Sequence, residues 1–217
     1  MRKRFLNRTQ KGRYTPHGRC FDVGTTVATA LYEGVGCKSE RSNGNGSLMR
    51  IAPLAFTNAT DDEIRAASAI THAHEWSTEA CVMYTHIAHS LISGSSLEDA
   101  IAENIITNPP FERLATINDV PEDEIETSGY VVHTLEAALW CLLHTNSYRE
   151  CMLKAVNLGR DTDTTACVAS ALAGIAYGYD SIPAEWIEEL QAKDIIDKTL
   201  FSTHKSITKL RNNHVND

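Results

Sequence analysis

The 217-residue sequence has no Cys-x-x-Cys pair, no apolar run long enough to cross a bilayer, no block of like charge and no internal repeat. Each absence removes a class of protein. The six cysteines, Cys20, Cys37, Cys81, Cys141, Cys151 and Cys167, are scattered, which suits neither a zinc site nor a disulfide frame. Most fall among apolar helical positions, where Cys acts as a small hydrophobe. They read as reduced thiols of a cytoplasmic protein. The longest apolar stretch, residues 166–177, falls short of the ~20 residues a membrane span needs. The basic start Met1-Arg2-Lys3-Arg4 is followed by no apolar run, so it reads as neither secretory signal nor anchor. A formal net charge of −8 without a broad basic face argues against nucleic-acid binding. It leaves room for a pocket that takes one phosphorylated small molecule.

What the sequence does have is helical periodicity. No alternating strand pattern stands out, so the fold class is all-α. The length suffices for one well-buried domain over residues 1–217. Residues 1–50 read as loops around a short helix at 26–33. A helix over 61–71 opens on a capping box, Thr60 with Glu63. Further helices are expected at 77–93 and 97–106, where Asn108-Pro109-Pro110 breaks the pattern. Residues 111–128 read as an acidic linker. Residues 130–144 form the clearest amphipathic helix, with Val131, Leu135, Ala138, Leu139 and Leu142 on one face. Residues 147–158 follow, with Ser147 as N-cap and Gly159 as the stop. A central buried helix runs over 164–177. Its small-residue stripe Ala166, Ser170, Gly174 and Gly178 would admit a close neighbour. One or two helices are expected in 184–210, then a frayed tail over 212–217.

The chemistry concentrates at Asp161-Thr162-Asp163-Thr164. On a regular helix residues i and i+2 point about 200° apart. The two carboxylates therefore converge only if Asp161 lies in the loop and the helix begins just after it. Gly159 permits so sharp an entry. Two carboxylates and a hydroxyl form an all-oxygen site, suited to Mg²⁺, Mn²⁺ or Ca²⁺ and not to zinc. The bland alternative is an elaborate helix cap, because Asp and Thr are ordinary first-turn residues. Arg160 brings a cation beside these carboxylates, able to compete for them or to pair with a phosphate.

The run VNLGRDTDTTACVASALAGIAYG, residues 156–178, resembles the C-terminal metal motif of the ADP-ribosylglycohydrolase family. Three further segments resemble that family in the same order. They are Ser42-Asn43-Gly44-Asn45-Gly46-Ser47-Leu48-Met49-Arg50-Ile51-Ala52-Pro53-Leu54, then Ile70-Thr71-His72-Ala73-His74, then Ser128-Gly129-Tyr130-Val131-Val132-His133-Thr134-Leu135. The resemblance implies a compact multi-helix bundle around a binuclear Mg²⁺ or Mn²⁺ centre that hydrolyses the bond at the ribose anomeric carbon. It implies Asp161, Asp163 and Thr164 as metal ligands, with Asp161 and Asp163 as the catalytic carboxylates. It also implies that Gly44, Asn45, Gly46, Ser47, Met49, His72, Gly129 and Tyr130 contact an ADP-ribosyl group. Glycines allow close backbone approach and amides that cradle an anion. His72 would orient substrate, since imidazole is a poor ligand for Mg²⁺. His74 reads as a helix C-terminal histidine. Tyr130 would stack on a base or line a ribose pocket, or else be a core tyrosine.

One family feature is not found. The family's Thr-Asp-Asp motif and opening helix would precede Arg4, so the chain is expected to be N-terminally truncated relative to the family. Thr60-Asp61-Asp62 does not replace that motif, because it follows the glycine loop and is explained by its cap. Two functions follow from the resemblance. One is a hydrolase that removes ADP-ribose from a modified protein side chain or a related compound. The other is a non-catalytic ADP-ribose-binding descendant. The expected partner is an ADP-ribosylated protein or ADP-ribose-like molecule, with no nucleic acid and no membrane. A homo-oligomer is expected to cover the core that the missing helices would leave open.

Overall fold

The computed structural model describes residues 1–199. In chain order the helices are α1 (Arg2–Lys11), α2 (Thr25–Glu33), α3 (Asp61–Ala69), α4 (Glu75–Ile92), α5 (Leu97–Ala102), α6 (Val131–Leu143), α7 (Tyr148–Asn157), α8 (Thr162–Tyr177) and α9 (Ala184–Glu189). Residues 193–199 are also helical. The expectations for 200–210 and for the 212–217 tail lie outside the described residues. The protein is all-α: its only sheet-like pairings among the described residues are two isolated bridges, Cys37 with His72 and Gly44 with Tyr130. No described helix is long and apolar enough to cross a membrane.

Two compact units are present: residues 24–183, and residues 1–23 with the segment from Ala184 onward. The second unit holds α1, which the sequence reading missed. That helix carries no buried residue and half of its residues are basic, so no apolar stripe announced it. It ends on Gly12 in the left-handed region, whose N–H donates to Arg8 O.

In the unit 24–183, α6 is the axis. Val131, Leu135, Ala138, Leu139 and Leu142 are all buried, and so is almost every other α6 side chain. It packs on α4, α5, α7 and α8. Truncating Leu135, Leu139 or Leu142 to Ala would cost about 2–5 kcal/mol each. The Tyr84 hydroxyl of α4 donates to Val168 O of α8 at 2.8 Å, which ties those two helices through the core.

The caps expected from sequence are present. Thr60 Oγ1 accepts from Glu63 N, and Glu63 Oε2 accepts from Thr60 N at 2.9 Å. Ser147 Oγ accepts from Glu150 N.

Three expectations need correction. First, residues 111–128 are not a linker. They form 3-10 turns at Glu112–Asp119 and Glu122–Glu124, and Phe111, Leu114, Ile117, Val120 and Ile125 are buried. The first four of these recur every three residues, the 3-10 period, which a search for 3.6 overlooks. The Arg113 guanidinium clasps the buried Glu136 carboxylate of α6, and Trp140 Nε1 donates to Val120 O at 2.8 Å. Second, α5 ends at Ala102, four residues short of the expected bound. Third, the small-residue stripe of α8 is not its core face. Ala166, Ser170 and Gly174 are half-exposed and Gly178 is exposed, while Thr164, Thr165, Val168, Ala169, Leu172 and Ala173 are buried. A four-residue spacing drifts about 40° per step on a 3.6-residue helix, which carries the stripe away from the core.

Candidate functional site

The glycine loop over residues 43–47 lies between two short 3-10 turns, Glu40–Ser42 and Leu48–Arg50. Backbone pairing holds it to the entry of α6. Val131 N donates to Asn43 O and Asn45 N donates to Gly129 O, both at 2.9 Å. The Gly44 and Gly46 amides make no hydrogen bond among the described residues. Unpaired backbone amides of this kind are the groups that suit an anion.

His72 lies under this loop. α3 stops at Ala69, and residues 70–74 turn the chain into α4. Cys37 N donates to Thr71 O, and Ala73 N donates to Cys37 O. His72 is only 2% exposed. Its Nδ1 is 2.8 Å from Thr71 Oγ1, which also accepts from the Arg50 guanidinium at 2.6 Å. Arg50 donates to Gly46 O as well, so it grips the loop from behind. Burial, reinforced by the Arg50 charge, pushes the His72 imidazole down to about 4, so it is neutral at neutral pH. Burial also pushes the Arg50 guanidinium down to about 10, which leaves it charged. The ring faces the underside of the glycines: a Cβ on Gly46 would sit 2.9 Å from His72 Cε1. His74 does not end a helix. It is the N-cap of α4, accepting from Trp76 N, and its Nδ1 is also 3.0 Å from Asn43 Nδ2.

The acidic cluster sits where α7 turns into α8. Gly159 (φ +89°) and Arg160 (φ +57°) make the sharp entry. Asp161 is the N-cap residue and α8 begins at Thr162, the arrangement two converging carboxylates require. Thr127 anchors the corner: its carbonyl accepts from Asp161 N at 3.0 Å and its hydroxyl donates to Gly159 O at 2.8 Å. The Asp161 carboxylate does not cap α8. Its Oδ2 accepts from Asn45 Nδ2 at 2.7 Å instead. The helix-cap reading of Asp161 therefore does not describe the geometry. Arg160 points to Glu126, 3.6 Å away, and not to Asp161 or Asp163.

The structure thus brings the four segments to one place but sorts their side chains by depth. Gly44, Asp161 and Tyr130 are half-buried, while Gly129, Asp163 and Met49 are exposed. Asn45, Ser47, His72 and Thr164 are buried. Ser47 Oγ accepts from the Cys81 thiol inside the core. Met49 O accepts from the Cys167 thiol of α8, which closes the loop against that helix. Tyr130 stands in a row of edge-to-face rings, 6.3 Å from Trp76 and 4.9 Å from His133. Sequence reading missed Thr127 and gave no role to Thr134 within the 128–135 segment; both are buried, Thr127 holding the Gly159–Asp161 corner and Thr134 holding Asn45 to the entry of α6. Their signal was a hydroxyl in an otherwise apolar position, which needs a partner.

Among the described residues no three His, Cys, Asp or Glu side chains gather as a metal-binding group. The donors at the α8 entry are Asp161, Asp163 and the Thr164 hydroxyl. This all-oxygen set fits a hard cation such as Mg²⁺, which keeps several waters and binds through one or two carboxylates plus oxygens of its ligand.

A family model described as ADP-ribosylglycohydrolase matches residues 1–213. The chain is 32% identical over 202 residues to the ADP-ribosylarginine hydrolase Tri1 of Pseudomonas putida (strain GB-1), covering 86% of this chain and 54% of that protein. It is 32% identical over 186 residues to the ADP-ribosyl-[dinitrogen reductase] glycohydrolase of Rhodospirillum rubrum, covering 81% and 62%. It is 24% identical over 238 residues to human ADP-ribosylhydrolase ARH3, covering 88% and 64%. A solved structure titled "ADP-ribosylglycohydrolase-related protein complex" superposes with a TM-score of 0.67 at 31% identity, covering 79% of this chain and 65% of that one. The chain therefore spans between about half and two thirds of the length of these relatives.

Proposed function

The chain belongs to the ADP-ribosylglycohydrolase family, and from that membership we propose that it provides the ADP-ribose-binding face and one carboxylate pair of a hydrolase that releases ADP-ribose from a modified protein side chain. Arginine is the preferred side chain, because two relatives at 31–32% identity are named ADP-ribosylarginine hydrolases. The observation that carries the reading is the contact of Asn45 with Asp161. It joins the anion-receptive glycine loop to the carboxylates at the head of α8.

Each group has a task in this reading. The Gly44 and Gly46 amides take the phosphates, since open N–H groups suit an anion. Tyr130, on the rim beside Gly129, lines the ribose. His72 and Ser47 act from below, as supports that keep the glycines close to the ligand. Asp161, Asp163 and Thr164 would hold Mg²⁺ or Mn²⁺, which when bound polarises ribose hydroxyls and makes a water easier to deprotonate. Asp163, the exposed carboxylate, accepts the proton of the attacking water.

The test is ADP-ribose release from an ADP-ribosylated arginine peptide in the presence of Mn²⁺, for the wild type and for Asp163→Ala. Turnover that disappears in Asp163→Ala supports the hydrolase. A second reading, a non-catalytic ADP-ribose binder, is favoured by the small number of donors at the α8 entry. Calorimetric binding of ADP-ribose without turnover would select it.

A further inference from the structure

Asp161 is an N-cap residue that does not cap its helix, and a buried amide holds its carboxylate instead. We infer that Asn45 and Thr134 are positioning residues for the Asp161 carboxylate. The assignment rests on the reading of Asp161 as a cation-holding carboxylate.

Asn45 is 8% exposed. A side-chain amide has two N–H donors on one nitrogen. Both are used: Nδ2 donates to Thr134 Oγ1 at 2.9 Å and to Asp161 Oδ2 at 2.7 Å. An ionised carboxylate only accepts, so the amide nitrogen and not its oxygen must face Asp161. The backbone of Asn45 is committed as well. Its N–H donates to Gly129 O, and its carbonyl accepts from Met49 N at 3.1 Å. No donor of this residue remains for a ligand, and its amide oxygen is its one polar atom without a partner among the described residues.

Thr134 completes the chain. It is fully buried one turn into α6, so it reaches no ligand. Its hydroxyl accepts from Asn45 and donates back to the start of α6, to Tyr130 O at 3.2 Å or Ser128 O at 3.3 Å. The order Tyr130 carbonyl, Thr134 hydroxyl, Asn45 amide, Asp161 carboxylate is thus fixed in direction. Oδ2 takes this hydrogen bond and Oδ1 accepts none from the described residues, which makes Oδ1 the less hindered oxygen for a cation. The neighbouring wall is close: a Cβ at Gly129 would lie 3.5 Å from the same Oδ2. Partners that orient a ligating side chain commonly matter nearly as much as the ligand itself.

Mn²⁺ binding, read by electron paramagnetic resonance of the free ion, tests this without any turnover. Binding of ADP-ribose in EDTA, read by calorimetry, reports the ligand face separately. Asn45→Ala is expected to weaken Mn²⁺ binding about 10–100-fold and Thr134→Val about 3–10-fold, while Thr134→Ser stays near wild type. ADP-ribose affinity in EDTA should change less than about twofold in both threonine variants, since Thr134 is out of reach of ligand. Wild-type Mn²⁺ affinity in both Asn45→Ala and Thr134→Val would overturn the assignment. So would loss of ADP-ribose affinity in Asn45→Ala with Mn²⁺ binding unchanged, which would make Asn45 a ligand contact. If Asn45→Ala does not fold, the Val and Ser variants of Thr134 decide between them. A wild type that binds no Mn²⁺ would sink the cation reading, and this assignment with it. Equal affinities across the variants would sink the positioning role alone.

Discussion

Asn45 donates a 2.7 Å hydrogen bond to Asp161 across 116 positions of the chain. The bond joins a surface loop to the first residue before a core helix. It makes the loop and the carboxylates one unit, so substitutions on either side have distinguishable effects.

Asp163 is exposed in the first turn of α8. Its replacement by Ala should cost the α8 N-terminus only about 0.3–1 kcal/mol, the usual worth of a carboxylate there. Under the proposed function ADP-ribose release would nevertheless fall below detection. Urea melts and turnover measured on the same sample check both halves. A large drop in stability would mean that Asp163 has a structural role instead.

The two loop glycines should not respond alike. A Cβ at Gly46 would meet His72 at 2.9 Å, whereas at Gly44 its nearest neighbour is His72 Nε2 at 3.5 Å, an ordinary contact. Gly46→Ala must push the buried ring or the loop, an overpacking cost of about 1–3 kcal/mol. Gly44→Ala should fold close to wild type and show its effect in ADP-ribose binding. Thermal denaturation ranks them, and equal melting temperatures would argue against His72 as the floor of the loop.

His72 should make the protein acid-sensitive. Its imidazole titrates near 4 in the folded chain against about 6.5 unfolded. Between those values the unfolded state binds the extra proton, so stability falls as pH drops from about 6.5 to about 4 and levels off below. The loss over that window is about 2–4 kcal/mol. In His72→Asn this part of the pH dependence should vanish, leaving a shallower curve. Denaturant midpoints at pH 7, 5.5 and 4.5 give the comparison. Parallel curves for the two proteins would refute the claim.

Arg113 and Glu136 should be unequal partners. The Glu136 side chain is 4% exposed and that of Arg113 is 35% exposed. Arg113→Ala strands a carboxylate beside α6, a loss of about 3–5 kcal/mol. Glu136→Gln leaves an arginine that still reaches water and Glu124 O, so it should cost clearly less. Unfolding free energies in the reverse order would count against the buried clasp.

Much of the candidate site could be named from sequence because its residues are local in sequence. The segment 42–54, the His72 segment, the 128–135 segment and the run 156–178 each carry recognisable residues in one order. Depth was not legible. Asn45 and Ser47 read as ligand contacts because neighbouring glycines made the whole loop look like a lining, and His72 because its own segment resembles the family's histidine motif. In the folded chain Ser47 meets Cys81 and His72 meets Thr71 instead.

The sequence alone determined the capped helix starts and the apolar helices, because caps such as Thr60 with Glu63 and apolar spacing such as Leu135, Leu139 and Leu142 act within a few residues, whereas α1, with no apolar face, and the end of α5 were not marked in it. It also determined the all-oxygen character of the α8 entry, because Asp161, Asp163 and Thr164 are neighbours. Only the tertiary structure decided that α6 is buried on nearly every side and that residues 111–128 are core. It alone decided that Asp161 is gripped by Asn45 and Arg160 is turned to Glu126. These outcomes depend on which surfaces meet across more than a hundred residues of chain in one case and on a left-handed turn in the other, and neither is encoded in a local pattern.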